Sequence, residues 1–468
     1  MDEEKKGFIA EAIPPFYPAT NYDEPYRGQY HFSSQSGWMN DINGIWYWDG
    51  IYYMTYQTTP SHHEIVLEEH SIGMAVSPDM VRWEQKPLAL RPSSLGSVFS
   101  GSVVVDLHNA SGFQTGANPV FVGFYSYTES GVCIAYSNDL GVTWQGYEGN
   151  PVIPAIVHDT RDPHVLWHGA SKKWCLAIYG PGDGATSFYS SCDMKEWKFE
   201  SQIDYFGFEC PDLFELPVDG DVSNKKWVLI KADGQYLLGQ FDGSVYTPDS
   251  REALDSVHGG CFYASQTFFK DTFPDNRVVQ LAWMGNPTDS VFKPRFTTSP
   301  WNQCATFPVE LKLEKRPEGI RLTRNPISEI QNIHDETLEW GGRYLLPGDN
   351  LFSEVSAKCC DITAEFDLAD AEATEIVFGF ADKTVRYDIE KQALMGKPCL
   401  PVSNRVGLRI LTDWSQIEVF SCGGVFSWAE RYFFAKDRND IRLSVNGRIK
   451  LVSLTVHKLR LGFEKMKI

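Results

Sequence analysis

The chain has 468 residues, too many for one hydrophobic core, so two or more domains are expected. Its 42 basic and 61 acidic residues leave a net charge of −19, which argues against nucleic acid or an anionic membrane as partner. No stretch approaches the ~18 uninterrupted apolar residues of a membrane span, and the balance fits a neutral small-molecule or polysaccharide substrate.

Residues 1–26 open with "MDEEKKGFIAEAIPPFYP", an extension without the apolar run of a signal peptide, so a cytoplasmic location is slightly favoured as the expectation. From residue 27 onward helical periodicity is scarce. Short β-branched and aromatic runs alternate with turn signals instead, as in "IWYWDGIYYMTYQ" around Asp49-Gly50 and "KWVLIKADGQYLLGQF" around Asp233-Gly234. The chain is all-β. Three segments repeat, each S-x-D followed by a tryptophan: Ser77–Trp83, Ser137–Trp144 and Ser191–Trp197. Their aspartates, Asp79, Asp139 and Asp193, are spaced by 60 and 54 residues, a period that suits four-stranded propeller blades with generous loops. Residues 27–330 have room for five such blades. The polar segment "SEIQNIHDETLEW" then reads as a short helix or a linker, placed over 331–343 with a boundary near residue 335. From 344 to 468 many short alternating strands, such as "CCDITAEFDL" and "RVGLRILTDWSQIEVFS", predict a β-sandwich.

Ten scattered cysteines form no C-x-x-C pair or ligand-like cluster. They read as small buried hydrophobes, and neither a metal nor another cofactor is expected. In a propeller the inner strands converge on an axial channel, so acidic residues in unusual local contexts, one per blade, are the candidates for chemistry. Three stand out: Asp41 in "WMNDING", Asp162 in "TRDPHV" and Glu209 in "FGFECPDLF". Each has a plain alternative on its own: a turn aspartate, an arginine-paired structural carboxylate and a solvated strand residue.

Taken together, the segments "SGWMNDING", "FSGS", "TRDP", "FECPDLF", "FYASQTF" and "LRILTDWSQIEVF" resemble glycoside hydrolase family 32, the invertase, inulinase and levanase family, in family order and over nearly the whole chain. The resemblance implies a five-bladed propeller followed by a β-sandwich, in agreement with the repeat. It also implies a retaining glycosidase acting on fructose-containing oligo- or polysaccharides. Asp41 would be the nucleophile, Glu209 the acid/base and Asp162 a partner that grips sugar hydroxyls. Such an enzyme needs one ionised and one protonated carboxyl about 5–5.5 Å apart. Asp41 amid donors is expected to be the ionised member, Glu209 beside Phe208 the neutral one, and Asp162 next to Arg161 to stay charged. Asn40, Gln57, Phe99, Ser100 and Arg161 are expected around the sugar, with Trp38, Trp301 and Trp283 as candidate stacking platforms or plain core.

The chain departs from the family pattern at three places. Ile42 stands where the first motif usually has proline, Ile72-Gly73-Met74-Ala75 replaces a W-G-H-A sequence, and Cys261 replaces an aspartate before F-Y-A. His62, His63 and His70 lie near the missing tryptophan and read as surface loop histidines or as substrate contacts. A fructosyltransferase on the same intermediate and a non-catalytic fructan-binding protein stand as alternatives to hydrolysis.

Overall fold

The computed structural model describes residues 9–10, 20–128, 130–155, 160–180, 184–285, 298–353, 355–381, 383–432 and 441–460. Most of the N-terminal extension therefore lies outside the described residues. Its pair Ile9–Ala10 adds a short strand against Trp144 and Gln145. Helical content among the described residues is confined to short 3-10 turns.

Five antiparallel blades follow in chain order. Blade one begins with Gly37–Trp48, blade two with Val98–Asp106, blade three with Arg161–His168, blade four with Asp212–Val218 and blade five with Tyr263–Thr267. These first strands touch one another in a closed ring around the axis. Two parallel contacts between neighbours help the closure: Trp301–Asn302 pairs with Gly37–Trp38, and Val218 of blade four pairs with Leu313 of blade five.

The S-x-D repeat turns out to be the turn between the third and fourth strands of blades one to three. In blade one Asp79 Oδ1 accepts the backbone N–H groups of Val81 and Arg82, and the Trp83 indole donates to the Met80 carbonyl at 2.8 Å. Blade three repeats this with Asp193 and with Trp197 on Met194. Blade four makes a related turn with Asp242, which caps Ser244 and Val245. It lacks the serine and tryptophan, which hid it from the sequence pattern.

The sandwich comprises a six-stranded and a five-stranded sheet. Alternate residues such as Ile362, Ala364 and Phe366 from one sheet meet Ile376, Phe378 and Phe380 from the other in a shared apolar core. The segment 331–343 is not a linker. After the 3-10 turn Ser328–Ile333, the strand His334–Leu345 pairs along its length with Ile449–Leu459 at the edge of the larger sheet. Edge strands face water on much of their surface, so this one carries polar residues and reads as loop. A second correction concerns the cysteines: Cys399 and Cys422 are joined in a disulfide, and Cys192 is exposed.

Propeller and sandwich meet around His31, which is fully buried. Its Nδ1 lies 3.0 Å from Asp413 Oδ2 and its Nε2 2.9 Å from Glu418 Oε1. Asp413 also accepts the Gln29 and Tyr30 backbone N–H groups, and Glu418 that of Phe307 at 2.6 Å. Burial would lower the imidazole pKa, but the bonds and charges of the two carboxylates push it up to about 9. A group raised in the fold contributes stability that is fully present below its unfolded value of 6.5 and is lost as pH rises through about 9. Thermal melts are therefore expected to fall between pH 7 and pH 10. His31→Ala should lose about 3–5 kcal/mol, because two buried carboxylates are left unpaired. A melting curve for His31→Ala that matches wild type at pH 7 would rule this out.

Candidate active site

In four of the five blades the first strand breaks register where it brings candidate side chains to the axis. In blade one the pairing with the second strand slips between Met39 and Ile42, which releases Asn40 and Asp41. Blade two slips between Val98 and Gly101, at Phe99 and Ser100. Blade three slips between Arg161 and His164, at Asp162, and blade five between Tyr263 and Gln266. Bulges turn side chains out of the pleat, here toward the axis. Asp162 and Ala264 take left-handed backbone angles, φ 64° and 50°. Glu209 and Cys210, just ahead of the first strand of blade four, do the same at 49° and 42°. Non-glycine residues hold such angles only where surrounding structure enforces them.

The result is one connected network. Ser100 Oγ donates to Asp41 Oδ2 at 2.7 Å and the Asn40 amide to Asp41 Oδ1 at 3.2 Å. Gln57 links the two, accepting from Asn40 and donating to Ser100. Cys210 bridges the aspartates: its backbone N–H donates to Asp162 Oδ2 at 3.0 Å, and its thiol stands 3.7 Å from Asp41 Oδ2. Glu209 Oε1 accepts two bonds from the Arg161 guanidinium, at 2.7 and 3.2 Å, and Oε2 accepts the Tyr263 hydroxyl. Arg161 also lies over the Tyr179 ring and within 3.8 Å of Asp162.

Three carboxylates sharing one arginine cannot all ionise cheaply. Burial pushes Asp41 up to about 6; the Ser100 and Asn40 bonds oppose this and the Glu209 charge adds to it. Asp162 is also raised, by burial first and then by Glu209 and Asp41, against the pull of Arg161. Both directions differ from the sequence expectation. The donors around Asp41 are outweighed by its enclosure, and Arg161 bonds Glu209 rather than its own neighbour Asp162. Glu209 itself is not set in an apolar recess. Phe208 is 44% exposed and packs edge-on against Tyr179 and Tyr263, while the carboxylate is held by donors. Burial and the nearby carboxylates keep the Cys210 thiol and the Tyr263 phenol protonated, so both act as donors.

Of the sequence candidates, Asp41, Asp162, Glu209, Asn40, Gln57, Ser100 and Arg161 meet here. Phe99 stands beside them, its ring 4.6 Å from that of His70. Trp38 and Trp301 do not offer stacking faces: each is only 1% exposed, and Trp283 is equally shut in. Trp38 packs edge-on against Trp283 and donates its indole N–H to Asn40, so it braces the site from behind. Trp301 lies under Arg27. His70 is a core residue, fully buried and pushed down to about 4 by burial, whereas His62 is exposed and bonded to Glu69. Ile42 is buried in the blade core, and Ile72–Ala75 lies inside the third strand of blade one with Gly73 against the Tyr56 ring. Sequence reasoning missed Tyr263 and Cys210 as site residues, although both sit within the quoted motifs.

The same first strands run on past the site. Ser102, His164, Leu213 and Gln266 line a separate cavity of about 400 Å³ further along the channel. Within its wall Gln266 donates to the Gly101 carbonyl, and Thr267 and His164 contact Asp212.

If Asp41 acts as an ionised carboxylate, activity is expected to fall on an acid limb as pH drops through about 6. Ser100→Ala removes a donor to that carboxylate, so this acid limb should move to higher pH; an unmoved limb would detach Asp41 from it.

Comparison with known proteins agrees with this fold. The profile of the glycosyl hydrolases family 32 N-terminal domain matches residues 31–326, and that of the family's C-terminal domain matches 342–458. A levanase of Bacillus subtilis is 36% identical over 97% of this chain and 72% of its own length. An extracellular exo-inulinase of Aspergillus niger is 31% identical over 94% of this chain and 96% of its own. The crystal structure of an exo-inulinase from Aspergillus awamori superposes with a TM-score of 0.82 at 28% identity, covering 95% of this chain and all of that one. With the five blades, the sandwich and the profile matches over both, the chain belongs to glycoside hydrolase family 32.

Proposed function

We propose that Asp41 is the nucleophile and Glu209 the acid/base of the reaction this enzyme catalyses, the retaining hydrolysis of terminal β-D-fructofuranosyl bonds. Asp162 and Arg161 hold the sugar and balance charge. The observation that carries this assignment is Cys210: it follows Glu209 directly and touches both Asp41 and Asp162, so the three carboxylates share one small site. In the first step Glu209 gives its proton to the leaving oxygen while Asp41 Oδ attacks the anomeric carbon, forming an ester. In the second, Glu209 takes a proton from water, which displaces Asp41. Two inversions leave the β configuration.

The names of the similar proteins support chain ends of levan and inulin as substrates, alongside sucrose and short fructo-oligosaccharides. Product analysis by chromatography on these four substrates tests the proposal. Free fructose should appear from the first minutes as the dominant product. Release of no fructose from any of them would overturn it, and oligosaccharides accumulating before fructose would overturn attack at chain ends.

A further inference from the structure

We propose that the outermost strand of the sandwich's larger sheet, Phe426–Arg431, is a positioning element of the active site: it fixes Tyr263, and through Tyr263 the carboxyl of Glu209. On one side this strand pairs with Gln416–Ser421. Its other edge, which would otherwise face solvent, is taken by the propeller segment Ser256–Cys261. The His258 N–H donates to the Ser427 carbonyl at 2.9 Å, the Cys261 N–H donates to the Ala429 carbonyl, and Ser427 Oγ donates to the Ser256 carbonyl at 2.9 Å. Gly260 pairs in parallel with Ala429.

Two glycines make this approach possible. Gly259 (φ 141°) lies against the Trp428 ring, and a Cβ on Gly260 (φ 85°) would stand 1.8 Å from the Ala429 carbonyl oxygen. No side chain fits there without parting the two domains locally. The Ala429 methyl enters a small apolar cluster with Met284, Cys304 and Cys261. Directly before Met284 in the chain, Trp283 packs edge-on against the Tyr263 ring at 6.2 Å.

Tyr263 follows the clamped segment by two residues. Its hydroxyl donates to Glu209, and the next residue is tied to Glu209 through the backbone as well: the Ala264 N–H donates to the Ala232 carbonyl, and the Ala232 N–H to the Glu209 carbonyl at 3.1 Å. The left-handed conformations of Ala264, Glu209 and Cys210 leave this stretch dependent on outside support. Misplacing a reacting group by ~1 Å can cost ~10²-fold in rate, so a clamp one residue from the Phe262-Tyr263 pair has leverage on the chemistry.

The proposal rests on Glu209 as acid/base, and the experiment separates the two. Gly260→Ala, Tyr263→Phe and the double variant are made in the full chain, with kcat and KM measured on sucrose and on an activated fructoside. The charged and titratable groups around Glu209 are Arg161, Tyr263, Asp162, Asp41 and Cys210. Loss or displacement of the tyrosine donor frees one oxygen of the Glu209 carboxyl from its place. Gly260→Ala and Tyr263→Phe should therefore each lower kcat on sucrose by about tenfold or more with little change in KM, and by much less on an activated fructoside whose leaving group needs no proton. The double variant should be no worse than the more severe single variant, because both act on one contact. If Gly260→Ala does not fold, Ser427→Ala, which removes one clamp bond, should show a smaller loss of kcat on sucrose that the activated fructoside is again spared. A variant at Gly260 or Ser427 that melts earlier while keeping the wild-type kcat on sucrose would overturn the proposal, as would equal losses on sucrose and the activated fructoside or losses that multiply in the double variant. If Glu209→Ala keeps activity on sucrose, the acid/base assignment fails instead.

Discussion

Asp41→Asn is expected to lose about 10³-fold or more in kcat on every fructosyl substrate while the protein remains folded. An asparagine keeps the shape of the side chain and can still accept from Ser100, but its amide oxygen cannot form the ester intermediate. Stability should move the other way. Folding raises the Asp41 carboxyl from 3.8 to about 6, so above pH 6 the fold carries an ionised group that the unfolded chain solvates better. The penalty is relieved as pH falls through about 6 toward 4, and Asn removes it at all pH values. The variant should therefore melt no lower than wild type at pH 7. A turn aspartate would give the opposite pair of results, with stability lost and activity kept. Retention of more than about a tenth of the wild-type kcat would end the nucleophile assignment.

Glu209→Ala should be as damaging on sucrose and fructans, and more selective in a diagnostic way. Natural leaving groups are alkoxides that must be protonated as the bond breaks. An activated fructoside with a good leaving group needs no such help, so its first step should lose far less rate than that of sucrose. Turnover then stalls at the fructosyl-enzyme, because no base activates water. Azide, which attacks without giving up a proton, should restore turnover with the activated substrate and yield fructosyl azide. With wild type, NMR before mutarotation should show β-fructose as the first product. If α-fructose forms first, the reaction inverts, and the ester at Asp41 falls with it.

The carboxylates could be found in the sequence because each stands in a local context that regular strands do not favour: Asp41 between asparagines, Asp162 ahead of proline, Glu209 ahead of Cys-Pro. In the fold these same residues occupy bulges or left-handed positions. The blade count was legible for a similar reason, since S-x-D turns repeat where the third strand gives way to the fourth in blades one to three, while the variant around Asp242 in blade four and the short turn before Gly319 in blade five escaped. Alternation of apolar residues likewise announced the sandwich, except at His334–Leu345, where an edge strand has little core to face.

What the sequence could not determine was how these groups share charge. Arg161 adjoins Asp162 in the chain but bonds Glu209, and Tyr263 reaches the same carboxylate from blade five. Burial raises Asp41 in spite of its donors, and it shuts away the tryptophans that looked like sugar platforms. The sequence by itself therefore determined the family and the architecture, and singled out three carboxylates that the fold brings together, because these depend on residue type and local backbone preference. Only the tertiary structure decided which carboxyl meets which donor, and that a sandwich strand braces the loop leading to Tyr263. Desolvation and hydrogen bonding depend on distances between blades that no local pattern encodes.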